Sequence, residues 1–177
     1  MKLTVKIGLC AVIVLCVLAG SCAVEKFSLT NQFTILYSLD KKQNDRALVS
    51  VIDGAHRYIY FAIYEFTKEN IAAALVDAKE RGLDVQGIAD AGQSATAQQA
   101  KIIASLREAG IPVETQKHPE GIMHIKALVT DGAYAIGSYN WTSAATFEND
   151  EILEIGTNDE LRRQYLAIIQ RILAANR

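Results

Sequence analysis

His124 and Lys126 stand two residues apart, Asp131 follows shortly after, and Ser138 and Asn140 repeat the two-residue spacing just beyond Gly137. An imidazole, a fixed cation, a hydroxyl and an amide are a set suited to displacement at phosphorus. Cleaving a phosphodiester calls for positive charge on the non-bridging oxygens, a nucleophile, and an acid for the leaving alkoxide. Lys126 supplies the charge, while Ser138 and Asn140 supply neutral donors that bind the phosphate without a metal. Neutral His124 can attack phosphorus to give a phosphohistidine that water later hydrolyses. Its other ring nitrogen must then be held by an acceptor, which fixes tautomer and orientation. No cofactor is implied.

Strand geometry divides these residues between roles. If residues 123–130 are extended, His124 and Lys126 project to one face and Asp131 to the other. Asp131 is therefore expected to support the turn or a salt bridge behind the site. Ser138 and Asn140 also share a face. For them to join the first pair, Lys126 must lie opposite Ser138 and His124 opposite Asn140. A two-residue Asp131-Gly132 turn would pair Lys126 with Gly137 instead. An odd connection is expected, such as a three-residue loop of Asp131, Gly132 and Ala133.

The run His124-x-Lys126-x4-Asp131 followed by Gly137-Ser138-x-Asn140 resembles the signature of the phospholipase D superfamily. From about Phe33 onward the chain resembles that superfamily's small single-motif bacterial members, the Nuc-type endonucleases. The resemblance implies an α/β fold and a phosphodiester-cleaving site with His124, Lys126, Asn140 and Glu151 as catalytic residues. Glu151 matches the acidic residue that follows the family motif, with Asn149 two positions before it. Two-motif members place both copies at a shared axis, so a single copy implies a C2 homodimer in which one His124 attacks and the other donates a proton.

The elements that must position these residues alternate between strand and helix. Strands are predicted at 33–37, 58–64, 85–89, 112–115, 127–130, 134–137 and 151–155. Helices are predicted at 43–54, from Thr67 as cap to Arg81, at 95–109, and at 161–173, where Leu166, Ile169 and Leu173 form one stripe. The continuous run Tyr58–Tyr64 reads as a central strand buried on both faces. The expected architecture is a layered α-β-α sandwich with a mixed sheet, parallel in its first half and partly antiparallel near the motif.

Residues 1–23 read as a signal peptide: Lys2 and Lys6 precede an apolar run from Ile7 to Ala19 and small residues through Ala23. That run is too short for a stable bilayer span. Cleavage before Val24 competes with a lipoprotein reading in which Cys22 is lipid-modified. Residues 24–177 are then one catalytic domain, exported to the periplasm or beyond. Cys10 and Cys16 would be lost with the signal, which excludes an internal disulfide framework, a Cys nucleophile and a Cys-based zinc site. The histidines show no zinc spacing. A carboxylate magnesium site, the lesser alternative, would start at Asp90.

Without Lys2 and Lys6, 16 basic residues face 20 acidic ones, a formal −4. Phosphate-backbone binders usually show a basic footprint, and residues 91–99 offer no cation. Lys117-His118 is a small basic cluster beside the motif, although His118 alone reads as a solvated loop residue and His56 as structural or exposed. Tyr58, Tyr60 and Tyr64 read as core and edge residues rather than a base-stacking platform. Trp141 suits either the substrate groove or the packing at a helix start. Three functions fit: an endonuclease acting on DNA, and on RNA as a second substrate; an envelope phospholipid phosphodiesterase; and a non-catalytic phosphodiester-binding module.

Overall fold

The computed structural model describes residues 33–117 and 120–177. The signal peptide, Cys22 and His118 lie outside the described residues. In chain order the elements are β1 Phe33–Tyr37, α1 Ser38–Lys41, α2 Asn44–Asp53, β2 Tyr58–Ile63, α3 Glu69–Glu80, β3 Asp84–Ala89, α4 Ala91–Ser94, α5 Ala97–Glu108, β4 Val113–Thr115, β5 Lys126–Thr130, β6 Tyr134–Gly137, α6 Ser143–Phe147, β7 Ile152–Gly156 and α7 Asp159–Asn176.

The strands form one seven-stranded sheet in the order β1-β7-β6-β5-β2-β3-β4. β2, β3 and β4 are parallel, and β5, β6, β7 and β1 continue antiparallel. β2 is central, as its unbroken apolar run requires: Ile59, Phe61 and Ile63 face one helical layer while Ala62 faces the other. Leu48 and Ile52 of α2, Ile71 and Leu75 of α3, and Ile102 and Leu106 of α5 cover the first face. The expected stripe of α7 covers part of the second, with Ile169 and Leu173 buried against Ala62, Ile88, Ala127 and Val129. The result is the α-β-α sandwich with a mixed sheet. β1, however, is not part of the parallel half; it closes the far edge beside β7.

Local chemistry moved several boundaries. Thr67 does not cap α3: Lys68 stands at the cap position, and the N–H groups of both residues donate to the Trp141 carbonyl at 2.9 and 3.0 Å. The helix predicted at 95–109 is two pieces, since the Asp90 carboxylate caps α4 through the Gln93 N–H and the Thr96 hydroxyl starts α5 afresh through the Gln99 N–H.

The β5–β6 connection overturns the expected three-residue loop. Ala127 pairs with Ile136, Leu128 with Ala135 and Val129 with Tyr134. The Thr130 N–H donates to the Ala133 carbonyl at 2.8 Å, closing a two-residue Asp131-Gly132 turn. Thr130 itself explains the choice: its Oγ1 accepts the N–H groups of Gly132 and Ala133 at 3.1 and 2.9 Å. Lys126 is therefore in register with Gly137, not Ser138, and His124 is not opposite Asn140. The face rule that motivated the longer loop does not apply beyond Gly137, where β6 ends and alternation ceases.

Candidate active site

The site lies at the end of the sheet where β2 and β3 finish, the usual binding edge for parallel strands flanked by helices. Lys126 opens β5 opposite Ile63, the last residue of β2. One residue further out, the Tyr64 N–H donates to the Ile125 carbonyl at 2.9 Å, which leaves His124 just beyond the pairing. His124 is exposed, whereas Lys126 is 6% exposed. The Lys126 ammonium donates to the His124 carbonyl at 2.9 Å and lies 4.9 Å from the centre of the Tyr64 ring. The His124 ring meets Tyr64 edge-on with centroids 4.7 Å apart. One tyrosine thus touches both members of the His-x-Lys pair. Burial holds the Lys126 ammonium below the ordinary lysine value, and the carboxylates of Glu151 and Glu65 oppose that shift.

Tyr64 is itself fixed from α4 and α5. Gln93 Nε2 donates to its hydroxyl at 3.0 Å and Gln99 Nε2 to its carbonyl at 3.2 Å, while Gln99 Oε1 accepts the Phe66 N–H at 2.6 Å. Gln99 is fully buried. The segment after β2 is also clipped to the one carrying Asn140. The Trp141 N–H donates to the Glu65 carbonyl at 3.0 Å, and the Trp141 carbonyl accepts from Thr67 and Lys68. Trp141 packs against Phe61 and Phe66 with centroids 5.6 and 4.8 Å away, so it is a core residue and not part of the groove. Asn140 sits between two side chains with almost no exposure, Tyr139 and Trp141. Its Oδ1 is enclosed with no donor among the described residues. A half-turn of the amide would exchange this enclosed oxygen for the Nδ2 donors, which can meet a phosphate oxygen.

Ser138 belongs to Glu151. Its N–H donates to the Ile152 carbonyl at 3.0 Å, its Oγ accepts the Ile152 N–H at 3.1 Å, and the same hydroxyl donates to Glu151 Oε2 at 2.5 Å. This close approach of β6 and β7 needs Gly137, since a Cβ there would lie 2.0 Å from the Ile152 carbonyl oxygen. Glu151 is buried and held from behind by Ser38 of α1, whose Oγ accepts the Glu151 N–H at 3.0 Å and donates to the Asn149 carbonyl at 2.5 Å. Asn149 Nδ2 reaches Glu151 Oε1 at 3.5 Å.

Asp131 follows the far end of β5, seven residues from His124. Its Oδ1 accepts the His56 and Arg57 N–H groups at 3.0 and 3.1 Å, and the Arg57 guanidinium stands 3.6 Å from Oδ2. Burial pushes this carboxyl up, and those N–H groups with Arg57 outweigh it and hold it below the usual range. His56, exposed, contributes its backbone. Asp90 is 2% exposed and its oxygens accept the Gln93 and Met123 N–H groups at 2.9 and 3.0 Å. It anchors the approach to His124, an arrangement that leaves it poorly placed to found a metal site. Among the described residues no three His, Cys, Asp or Glu side chains gather around a common point.

Sequence reasoning missed Tyr64 as a partner of His124, Gln99 and Gln93 behind it, and Ser38 behind Glu151. A signal existed for Tyr64 alone: it directly follows the central strand, at the edge where ligands bind.

Comparison with known proteins bears on the family and the fold. The family model described as "Cardiolipin synthase, PLD-like domain" matches residues 48–173. A protein named phospholipase D from Rickettsia conorii is 34% identical over 120 residues, 67% of this chain and 58% of that protein. The chain thus spans well under two thirds of that relative's length. Among solved structures, the phospholipase D family member Nuc from Salmonella typhimurium superposes with a TM-score of 0.74 at 28% identity, covering 82% of this chain and 97% of Nuc. NucT from Helicobacter pylori gives 0.71 at 27% identity, covering 80% and 95%.

Proposed function

The chain belongs to the phospholipase D-like family, and from that premise we propose that it is a metal-independent phosphodiesterase acting on nucleic acid through His124. The observation that carries this reading is the exposed His124 ring set beside the buried Lys126 ammonium, with one aromatic ring against both.

In the proposed reaction a His124 ring nitrogen attacks phosphorus while Lys126 neutralises the non-bridging oxygens. The bond from phosphorus to the leaving oxygen breaks, and that oxygen takes a proton. A water then attacks phosphorus, the phosphorus–nitrogen bond breaks, and His124 is regenerated. Asn140 donates to the phosphate. Ser138 acts mainly by orienting Glu151, and Glu151 supplies negative charge beside the reacting groups.

One imidazole cannot attack and protonate in the same step. The proposal therefore includes a C2 dimer in which the second copy's His124 is the acid. The sheet-end placement of His124 and its exposure are compatible with such a pairing.

Incubating the protein with plasmid and single-stranded DNA in excess EDTA, beside His124→Ala, tests the reading. Cleavage lost only in the variant supports it. Inert wild-type protein on every nucleic acid, with turnover of phospholipid vesicles, would transfer the same chemistry to a lipid substrate.

A further inference from the structure

Beside the exposed His124 ring lies a groove of about 340 Å³ between the loop that precedes it and the C-terminal half of α7. Ile122, Ile125, Ile172 and Ala175 give it an aliphatic lining, which His124 and Arg171 complete. The rest of the proposed mechanism uses none of the residues on α7.

Arg171 differs from the other arginines of this helix. Arg162 pairs with Asp159 at 2.8 Å and Arg163 with Glu160 at 2.7 Å, while Arg177 donates to the Gln86 amide oxygen at 2.5 Å. Arg171 is exposed and makes no ion pair or side-chain hydrogen bond among the described residues. From Leu161 onward the sequence has Arg162, Arg163, Arg171 and Arg177 and no acidic residue. Lys117 is brought to the same end of α7, where its N–H donates to Asn176 Oδ1 at 2.6 Å. Arg171 is thus the arginine of α7 that shares the groove with His124, on a chain whose overall charge is negative.

We infer that this groove is a substrate subsite in which Arg171 holds the phosphate next to the one at His124, making a polynucleotide strand the substrate class. The inference rests on the phosphodiesterase reading and deepens it. A guanidinium offers paired donors that match phosphate oxygens. A substrate with one phosphate places it at His124 and leaves Arg171 without a counter-ion. A polynucleotide repeats the phosphate at every residue, and the aliphatic lining accepts the sugar and base edge lying between two of them.

The test compares a dinucleoside monophosphate with a single-stranded pentanucleotide in EDTA, reading the ratio of kcat/KM for the longer over the shorter substrate. Wild-type protein prefers the longer one. Arg171→Gln lowers the ratio about tenfold, mainly through KM, the size expected for one charge-assisted contact. Arg171→Lys recovers part of it. Arg163→Gln, outside the groove, keeps the wild-type ratio. The salt dependence of log KM on the pentanucleotide falls by about 0.7 in Arg171→Gln, as for one lost phosphate contact on a single strand.

A ratio unchanged in Arg171→Gln, or lowered equally by Arg163→Gln, overturns the subsite. So does wild-type protein that cleaves the dinucleotide with no preference for length, although the phosphodiesterase reading then stands. Turnover of phospholipid vesicles with neither nucleotide cleaved overturns the subsite and redirects the substrate to lipid. No turnover of any diester removes the phosphodiesterase reading itself.

Discussion

Replacing Tyr64 with leucine removes the one ring that contacts both His124 and Lys126. The lost contacts are a cation–π interaction with the ammonium at 4.9 Å and an edge-on ring pair with centroids 4.7 Å apart. The first is worth about 0.5–2 kcal/mol and the second about 0.5–1.5 kcal/mol. If half to all of that is expressed in the transition state, kcat falls about 2- to 400-fold. Tyr64→Phe keeps the ring and loses only the hydrogen bond from Gln93, so its kcat falls by no more than about tenfold.

The assay is steady-state hydrolysis of a chromogenic phosphodiester in EDTA across pH. The groups facing Lys126 are Tyr64 and Glu65 beyond β2, the His124 carbonyl, and Glu151 before β7. Burial already holds the ammonium low, and removing the ring takes away a group that favours its charged form. The alkaline limb of the rate profile therefore moves to lower pH in Tyr64→Leu and stays in Tyr64→Phe. A Tyr64→Leu protein with kcat within twofold of wild type and an unmoved alkaline limb would refute the argument.

Other perturbations test the supporting structure. Gly137→Ala forces a methyl group onto the Ile152 carbonyl oxygen, so β6 and β7 separate and thermal denaturation shows a melting temperature lower by about 2–12 °C, for an overpacking cost of roughly 1–3 kcal/mol. Ser138 also loses its grip on Glu151, and activity falls with it. Asp131→Ala removes the acceptor for two N–H groups far from His124 and costs about 1–3 kcal/mol, read in urea melts, while kcat of the folded protein is kept. Because the folded Asp131 pKa is depressed, its stabilisation is complete above about pH 4 and is lost as pH falls through the folded value. The wild-type and variant stabilities therefore converge in acid. Ser38→Ala strips the acceptor from the Glu151 N–H and the donor to Asn149, lowering stability by about 1–3 kcal/mol and activity on the same substrate.

Much of this fold was legible because its strands and helices obey simple periodicities. The central position of β2 followed from an apolar run without polar alternation, and the α7 stripe from Leu166, Ile169 and Leu173. The site residues were legible as types and spacings, and the salt bridge expected of Asp131 forms with Arg57. What failed was the extension of parity past the end of a strand. The Thr130 hydroxyl stabilises a two-residue turn, and Ser138 then joins β7 instead of facing Lys126. The supports of the site were illegible for a related reason. Gln99, Gln93 and Ser38 reach it through side-chain bonds to backbone or hydroxyl groups across 29 to 113 positions, and no local pattern announces such a contact.

The central claim is that His124 becomes covalently bonded to phosphorus. Acid-free quenching of the protein during turnover of a phosphorus-labelled oligonucleotide in excess EDTA, followed by peptide mass spectrometry, tests it most directly. The account predicts an acid-labile phosphoramidate adduct on the peptide containing His124, carrying the nucleotide fragment that stays esterified to phosphorus and absent from His124→Ala. Rapid turnover with no adduct on that peptide, or an adduct that persists in His124→Ala, would contradict it.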